Sequence, residues 1–227
     1  MQKDLNNAIL GTYSQKLSKI VPIKNFMCKK IDEVQDIRRL CRYIDSLSPL
    51  DEKGITYGNE IIDQPDLKDS LMSIAKKDKH LTKNGKEKVL IPYNWSISIL
   101  NERQMNIYVY HPMTTFSSYS YRNGVSIVGE HTFMVDIVYP IELNELVDGH
   151  ERALSIACRI LDLFDGYTID EPEFVEQVGN VSFEIKEDSI IDDRLGSTKY
   201  GCLTIPFRVS TIGKRTDKSY KGSTLWT

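Results

Sequence analysis

The sequence predicts an α+β fold: a mainly antiparallel sheet with one helix packed across it, plus a helical N-terminal region. Three observations carry this. Apolar residues recur at helical spacing as far as Ala75, and from Val89 onward the period changes to two. Between Thr132 and Phe164 an alternating run then feeds directly into an apolar-striped helix. The 227 residues divide accordingly into a helical region 1–88, an α+β domain 89–212 and a C-terminal arm 213–227.

Taken in order, Leu5, Ala8, Ile9, Tyr13, Leu17 and Ile20 form one helical stripe, which Pro22 ends. A second helix runs from Asp32 to Leu47 on Val34, Ile37, Cys41 and Ile44, with Ser48-Pro49 as its stop. A loop with Gly54, Gly58 and Asn59 leads to Pro65 and a short helix striped by Leu67, Leu71, Ile74 and Ala75. The lysines at 76, 77, 79, 83, 86 and 88 read as a solvated loop complementing that helix's C-terminus.

Trp95, Ile97 and Ile99 then alternate with polar neighbours, and Met105 to Tyr110 returns after the turn 101–104, which predicts a hairpin. Thr114 to Ser120 reads as a polar and aromatic loop, and Asn123-Gly124 as a turn into Val125 to Val128, with a bulge at Gly129. The strand Thr132 to Pro140 follows. Asp148 with Glu151 forms a capping-box pattern for a helix from His150 to Phe164. Ala153, Ile156, Ala157, Ile160, Leu161 and Phe164 share its buried face, Arg152, Arg159 and Asp162 the other, and Asp165-Gly166 stops it. Val181, Phe183 and Ile185 make a strand, as do Leu203, Ile205, Phe207 and Val209, and a polar connection 187–199 joins them. Pro206 cannot donate to a ladder, which predicts an edge strand or a bulge. The arm is polar and basic until Leu225-Trp226, an apolar pair that calls for a docking surface.

Composition narrows the function. A formal charge of −3 and a pI near 5.9 argue against a protein that coats nucleic acid, which needs a net basic field. Residues 1–7 lack the unbroken apolar core of a secretion signal, and no run approaches a membrane span, which predicts synthesis in the cytosol and no membrane partner. Cys28, Cys41, Cys158 and Cys202 form no C-x-x-C pair, and His80, His111, His131 and His150 are scattered, so free thiols are expected and a zinc site or other cofactor is not.

Gly149, Arg152, Ala153, Ile156, Ala157 and Ile160 spell Gly-x-x-Arg-Ala-x-x-Ile-Ala-x-x-Ile between a long strand and a closing hairpin whose last strand is Tyr200 to Thr211. Over residues 125–212 this resembles the tail-terminator, tail-completion and head-to-tail connector proteins of tailed bacteriophages. The resemblance implies a non-enzymatic virion protein, made in the host bacterial cytoplasm, that forms a homo-oligomeric ring in the neck. Its partners would be its own copies and portal or tail proteins, and it would line or seal the DNA channel, with non-specific proximity to the genome. A ring needs a heterologous interface. Pro206, Leu225, Trp226, Tyr119 and Tyr121 are its candidates, and Glu187, Asp188, Asp192 and Asp193 are candidates for a channel-facing loop that repels phosphate.

Two other classes compete. Asp136 with Glu184 and Lys186 is the residue set of a metal-dependent PD-(D/E)xK-like nuclease, although a helix and two loops separate the acids. Tyr108, Tyr110, Phe116, Tyr119 and Tyr121, with His111 and Arg122, supply the aromatics of a carbohydrate-binding platform on the host surface.

Overall fold

The computed structural model describes residues 17–44, 49–50, 53–55, 61–63, 66–72, 89–92, 104–121, 124–146, 149–178, 180–185, 191–193 and 199–212. The first helix, α1, spans Ile20–Glu33 and buries Ile23, Phe26, Met27 and Ile31 at helical spacing. Leu17 and Ser18 are helical and a turn at Lys19 ends that segment close to the expected stop, while Pro22 itself stands in the first turn of α1, where backbone N–H groups have no intrahelical acceptor and a missing one costs nothing. A second break comes at Val34, whose extended backbone (φ −82°, ψ 109°) separates α1 from α2, Gln35–Arg42. Asp32, expected to open the second helix, closes the first. Its carboxylate accepts the Leu71 N–H at 2.8 Å and pairs with Arg38 at 3.2 Å, so it ties both helices to segment 66–72. That segment is not helical as expected: the Leu71 carbonyl accepts the N–H groups of Val89 and Leu90, and Met72 bridges to Leu90. The stripe from Leu5 to Tyr13, Ile74, Ala75 and the lysines from 76 to 88 lie outside the described residues.

Two three-residue strands, β1 (Lys53–Ile55) and β2 (Ile61–Asp63), pair with each other within the region read as helical. The main sheet comprises β3 (Leu90–Ile91), β4 (Asn106–Tyr121), β5 (Gly124–Pro140), β6 (Thr168–Ile169), β7 (Asn180–Ile185), β8 (Ile191–Asp193) and β9 (Tyr200–Ile212). The strand order is β3-β4-β5-β9-β7-β6, with β8 also pairing with β9. It is a mixed sheet: β3 runs parallel to β4, and the other pairs are antiparallel. The fold is therefore α+β. Helix α3, Arg152–Phe164, and the short α4, Pro172–Val178, complete the described helices.

Three readings within the sheet are corrected. The predicted loop 114–120 is strand: β4 runs unbroken in secondary structure to Tyr121 and returns through β5 from Gly124. Serine, threonine and tyrosine sit well on a pleated surface when a partner strand supplies the ladder, so polarity alone misleads there. The bulge lies on β4 between Tyr110 and Met113, and Gly129 is in register with both Phe116 and Thr211. Strand β9 is central, flanked by β5 on one side and by β7 and β8 on the other. Pro206 is tolerated there because β7 pairs as far as Phe207 and β8 only from Thr204, which leaves position 206 opposite the gap between them. The predicted return strand at 105–110 is present, while its partner at 95–99 lies outside the described residues.

One face of the sheet carries Ile107, Val109, Phe133, Val135, Ile137, Phe183, Ile205, Phe207 and Val209, all within 1% of full burial. Helix α3 lays Ala153, Ile156, Ala157, Ile160 and Phe164 on this face, and Ile23, Met27, Ile37 and Leu40 join the same cluster. Residues from both sides of position 88 thus share one core. None of the described helices is long and apolar enough to cross a membrane.

Candidate assembly surfaces

The α3 start is built differently from a capping box. Glu151 is the N-cap residue but makes no side-chain cap bond. Asn144, seven residues upstream, supplies the cap: its Oδ1 accepts the Ala153 N–H at 2.8 Å, its backbone carbonyl accepts the Arg152 N–H at 2.6 Å, and its Nδ2 donates to Glu151 Oε2 at 3.2 Å. Asp148 lies outside the described residues. Gly166, at φ +70°, takes the left-handed conformation expected after the helix, and Asp165 is the C-cap.

Arg152 is fully buried, contrary to its reading as a surface residue. Its guanidinium donates to the carbonyls of Leu143 (2.9 Å), Leu40 (2.9 Å), Tyr43 (3.3 Å) and Ile44 (3.5 Å). The Leu40 carbonyl belongs to the last turn of α2 and those of Tyr43 and Ile44 follow it, so the cation satisfies a group the helix leaves unpaired and sits at the negative end of its dipole. Sequence spacing did hold the signal: Arg152 precedes Ile156 by one turn and borders Ala153. Arg159 on the same helix bridges to Asp36 of α2 at 2.9 Å. These two arginines lock the N-terminal helices against α3.

The second sheet face holds a smaller buried cluster of Ile91, Tyr108, Val138 and Cys202. Beside it the buried Asp136 accepts the Thr204 hydroxyl at 2.8 Å. The Tyr110 hydroxyl also bonds to Asp136; burial, with that carboxylate's charge, pushes it well above the usual tyrosine range. Gly201 lets the Tyr139 ring lie directly over the β9 backbone, where any Cβ would collide with it. At the other end of the helix-covered face, Thr114 Oγ1 lies 2.7 Å from His111 Nε2 and 2.9 Å from His131 Nδ1. His111 lies within the β4 bulge, Thr114 just after it, and His131 opposite on β5. Burial, with Lys24 nearby, holds His111 below the usual imidazole range. The Asp136 and histidine groupings were not foreseen, because they join strands through register, not through local spacing.

Beyond Gly129, whose partners are Phe116 and Thr211, the β4–β5 hairpin continues as a two-stranded ribbon. Its register runs Ser117↔Val128, Ser118↔Ile127, Tyr119↔Ser126, Ser120↔Val125 and Tyr121↔Gly124. Five further pairs correspond to about 17 Å of projection. Among the described residues no third strand joins it.

The remaining candidates are placed unevenly. Pro206 is buried within the sheet, so an edge contact through it has lost its premise. Asp192 and Asp193 belong to the strand β8, in register with Leu203 and Cys202, and not to a projecting loop. Glu187, Asp188, Lys186, Arg122, Leu225 and Trp226 lie outside the described residues. Asp136 and Glu184 share a face but align with Thr204 and Arg208, which puts them roughly 16 Å apart by strand rise and spacing. One magnesium ion cannot bridge that separation. Tyr108 is fully buried and Tyr110 is half-buried against Asp136, so neither offers an open ring face for a sugar. Among the described residues no three histidine, cysteine or acidic side chains converge as a metal would require. Compared with known proteins, the chain matches no family model and no curated sequence.

Proposed function

We propose that the chain is a structural virion protein of a tailed bacteriophage, made in the host cytoplasm and assembled as a homo-oligomeric ring in the neck between portal and tail. The observation that carries this reading is the β4–β5 ribbon, which extends five residue pairs past the sheet. A two-stranded ribbon is marginal in water by itself. This one carries Tyr119, Tyr121, Val125, Ile127 and Val128 along two strands that no further described strand joins, so a neighbouring protein surface is what would stabilise it. The rigid base supports the same role: α3 is clamped by Arg152 and Arg159 to α2 and spans the face formed by β5, β9 and β7. Such a base would hold the ribbon at a set angle, as a closed ring requires.

Light scattering on the purified chain, with electron microscopy, tests the reading. The expected result is a closed oligomer for the full chain, and a folded monomer when residues 117–128 are replaced by a two-residue turn. A full chain that stays monomeric both alone and with portal and tail proteins would overturn it. An unchanged ring from the trimmed variant would remove the ribbon as its support.

A further inference from the structure

Helix α3 exposes a single ridge. Glu151, Leu154, Cys158, Asp162 and Asp165 are its exposed residues together with the flanking caps, and their spacing confines them to about 80° of the helix circumference. Leu154 is 42% exposed, among the few large apolar side chains left open to solvent in the described residues. Glu151 accepts from Asn144 Nδ2 and Asp165 Oδ1 accepts the Ile185 N–H at 3.4 Å, but the ridge itself holds no cation for its carboxylates, since Arg159 is engaged by Asp36 and Arg152 is buried.

A second observation points to what the ridge would receive. Helix C-termini carry a partial negative charge and favour cations in the last turn. The last turn of α3 has no basic residue and is flanked by Asp162 and Asp165. That discord is relieved if a cation arrives from elsewhere. The C-terminal arm, outside the described residues, carries Lys214, Arg215, Lys218 and Lys221 against one carboxylate, Asp217, and then Leu225-Trp226.

The spacings agree as well. From Leu154 to Asp162 and Asp165 the ridge runs about 12 and 17 Å at helical rise. From Lys221 to Leu225 and Trp226 an extended chain covers about 13 and 17 Å. An arm laid antiparallel to α3 therefore sets Lys221 against Asp162 or Asp165 while the apolar pair meets Leu154.

We infer that the outer ridge of α3 is the docking surface for the C-terminal arm of a second copy of this chain. The inference rests on the ring reading and supplies its heterologous contact, because arm and ridge are different patches. The acids do not serve as an anion-lined surface for the genome; they receive a basic, apolar-tipped peptide.

The native thiol Cys158, on the ridge beside Leu154, provides the probe. A Thr227→Cys variant treated with a short bismaleimide should give covalent dimers and higher multimers, and Cys158→Ser in that background should abolish them. Either Asp162→Lys or Lys221→Glu should reduce cross-linking on the order of two- to fivefold at low salt, as one exposed ion pair allows. The two together should restore it, which separates a docking contact from a folding defect. Cross-linking confined within one chain would overturn the second-copy assignment. Rings of the Thr227→Cys variant that form with no link between Cys158 and the thiol introduced at the C-terminus would overturn the inference and leave the ring reading standing. A chain monomeric under all conditions would overturn both.

Discussion

Arg152 illustrates how one buried cation can organise an interface between elements. Four carbonyls from two chain segments converge on its guanidinium, and a neutral replacement leaves them without that donor in a dry site. Arg152→Leu is expected to cost about 3 kcal/mol, read as a lower urea midpoint, with Arg152→Lys recovering only part because an ammonium cannot span the same carbonyls. His111 contributes a pH dependence. Its folded-state pKa is depressed by burial, so its stabilising share is fully present above the ordinary imidazole pKa. That share is lost as pH falls below the ordinary value toward the lowered one, because the unfolded chain takes the proton first. Unfolding free energies measured between about pH 7.5 and about pH 5.5, which bracket the ordinary imidazole pKa, should fall less steeply for His111→Gln than for the natural chain. Equal slopes would contradict the assignment. The thiols offer a third check at this scale. Burial pushes Cys28 and Cys41 up to about 12, Cys202 is buried, and Cys158 is exposed. A thiol reagent should therefore modify one cysteine quickly in the native protein, and the other three only on unfolding.

At the scale of elements, the start of α3 shows a cap supplied from a distance. Asn144 folds back through the 3-10 turn Ile141–Leu143 to meet the Ala153 N–H. Asn144→Ala should destabilise the protein by about 1 kcal/mol, the usual worth of a side-chain cap, while Glu151→Ala should cost less because Glu151 makes no cap bond of its own. Comparative urea titrations of the two variants would check the order. The ribbon makes the opposite point. The hairpin residues described within the core cluster run to Val109 on β4 and resume at Phe133 on β5, near the base of the hairpin. Trimming it should leave the thermal midpoint almost unchanged while removing assembly.

Over the whole molecule, one core joins the N-terminal helices, the sheet and α3. The α+β class, the β7 and β9 strands and the strand-into-helix unit were legible because alternation and helical spacing are local and each element buries one face. The turn glycine at 166 was legible for the same reason, since its backbone conformation is nearly exclusive to that residue. The helix α4 and strand β6 between Thr168 and Val178 escaped notice because both are too short to show a period. The 114–120 strand escaped because its residues suit a loop until β5 supplies the ladder.

By itself, then, the sequence determined which stretches are amphipathic and where two helices begin and end in outline. Tertiary structure alone decided that β9 is central despite Pro206, that Arg152 is buried despite its charge, and that Asp136 and Glu184 stand apart. The reason is physical: strand order, a gap between two partner strands and a cluster of carbonyls all depend on segments distant in the chain, and no local spacing encodes them.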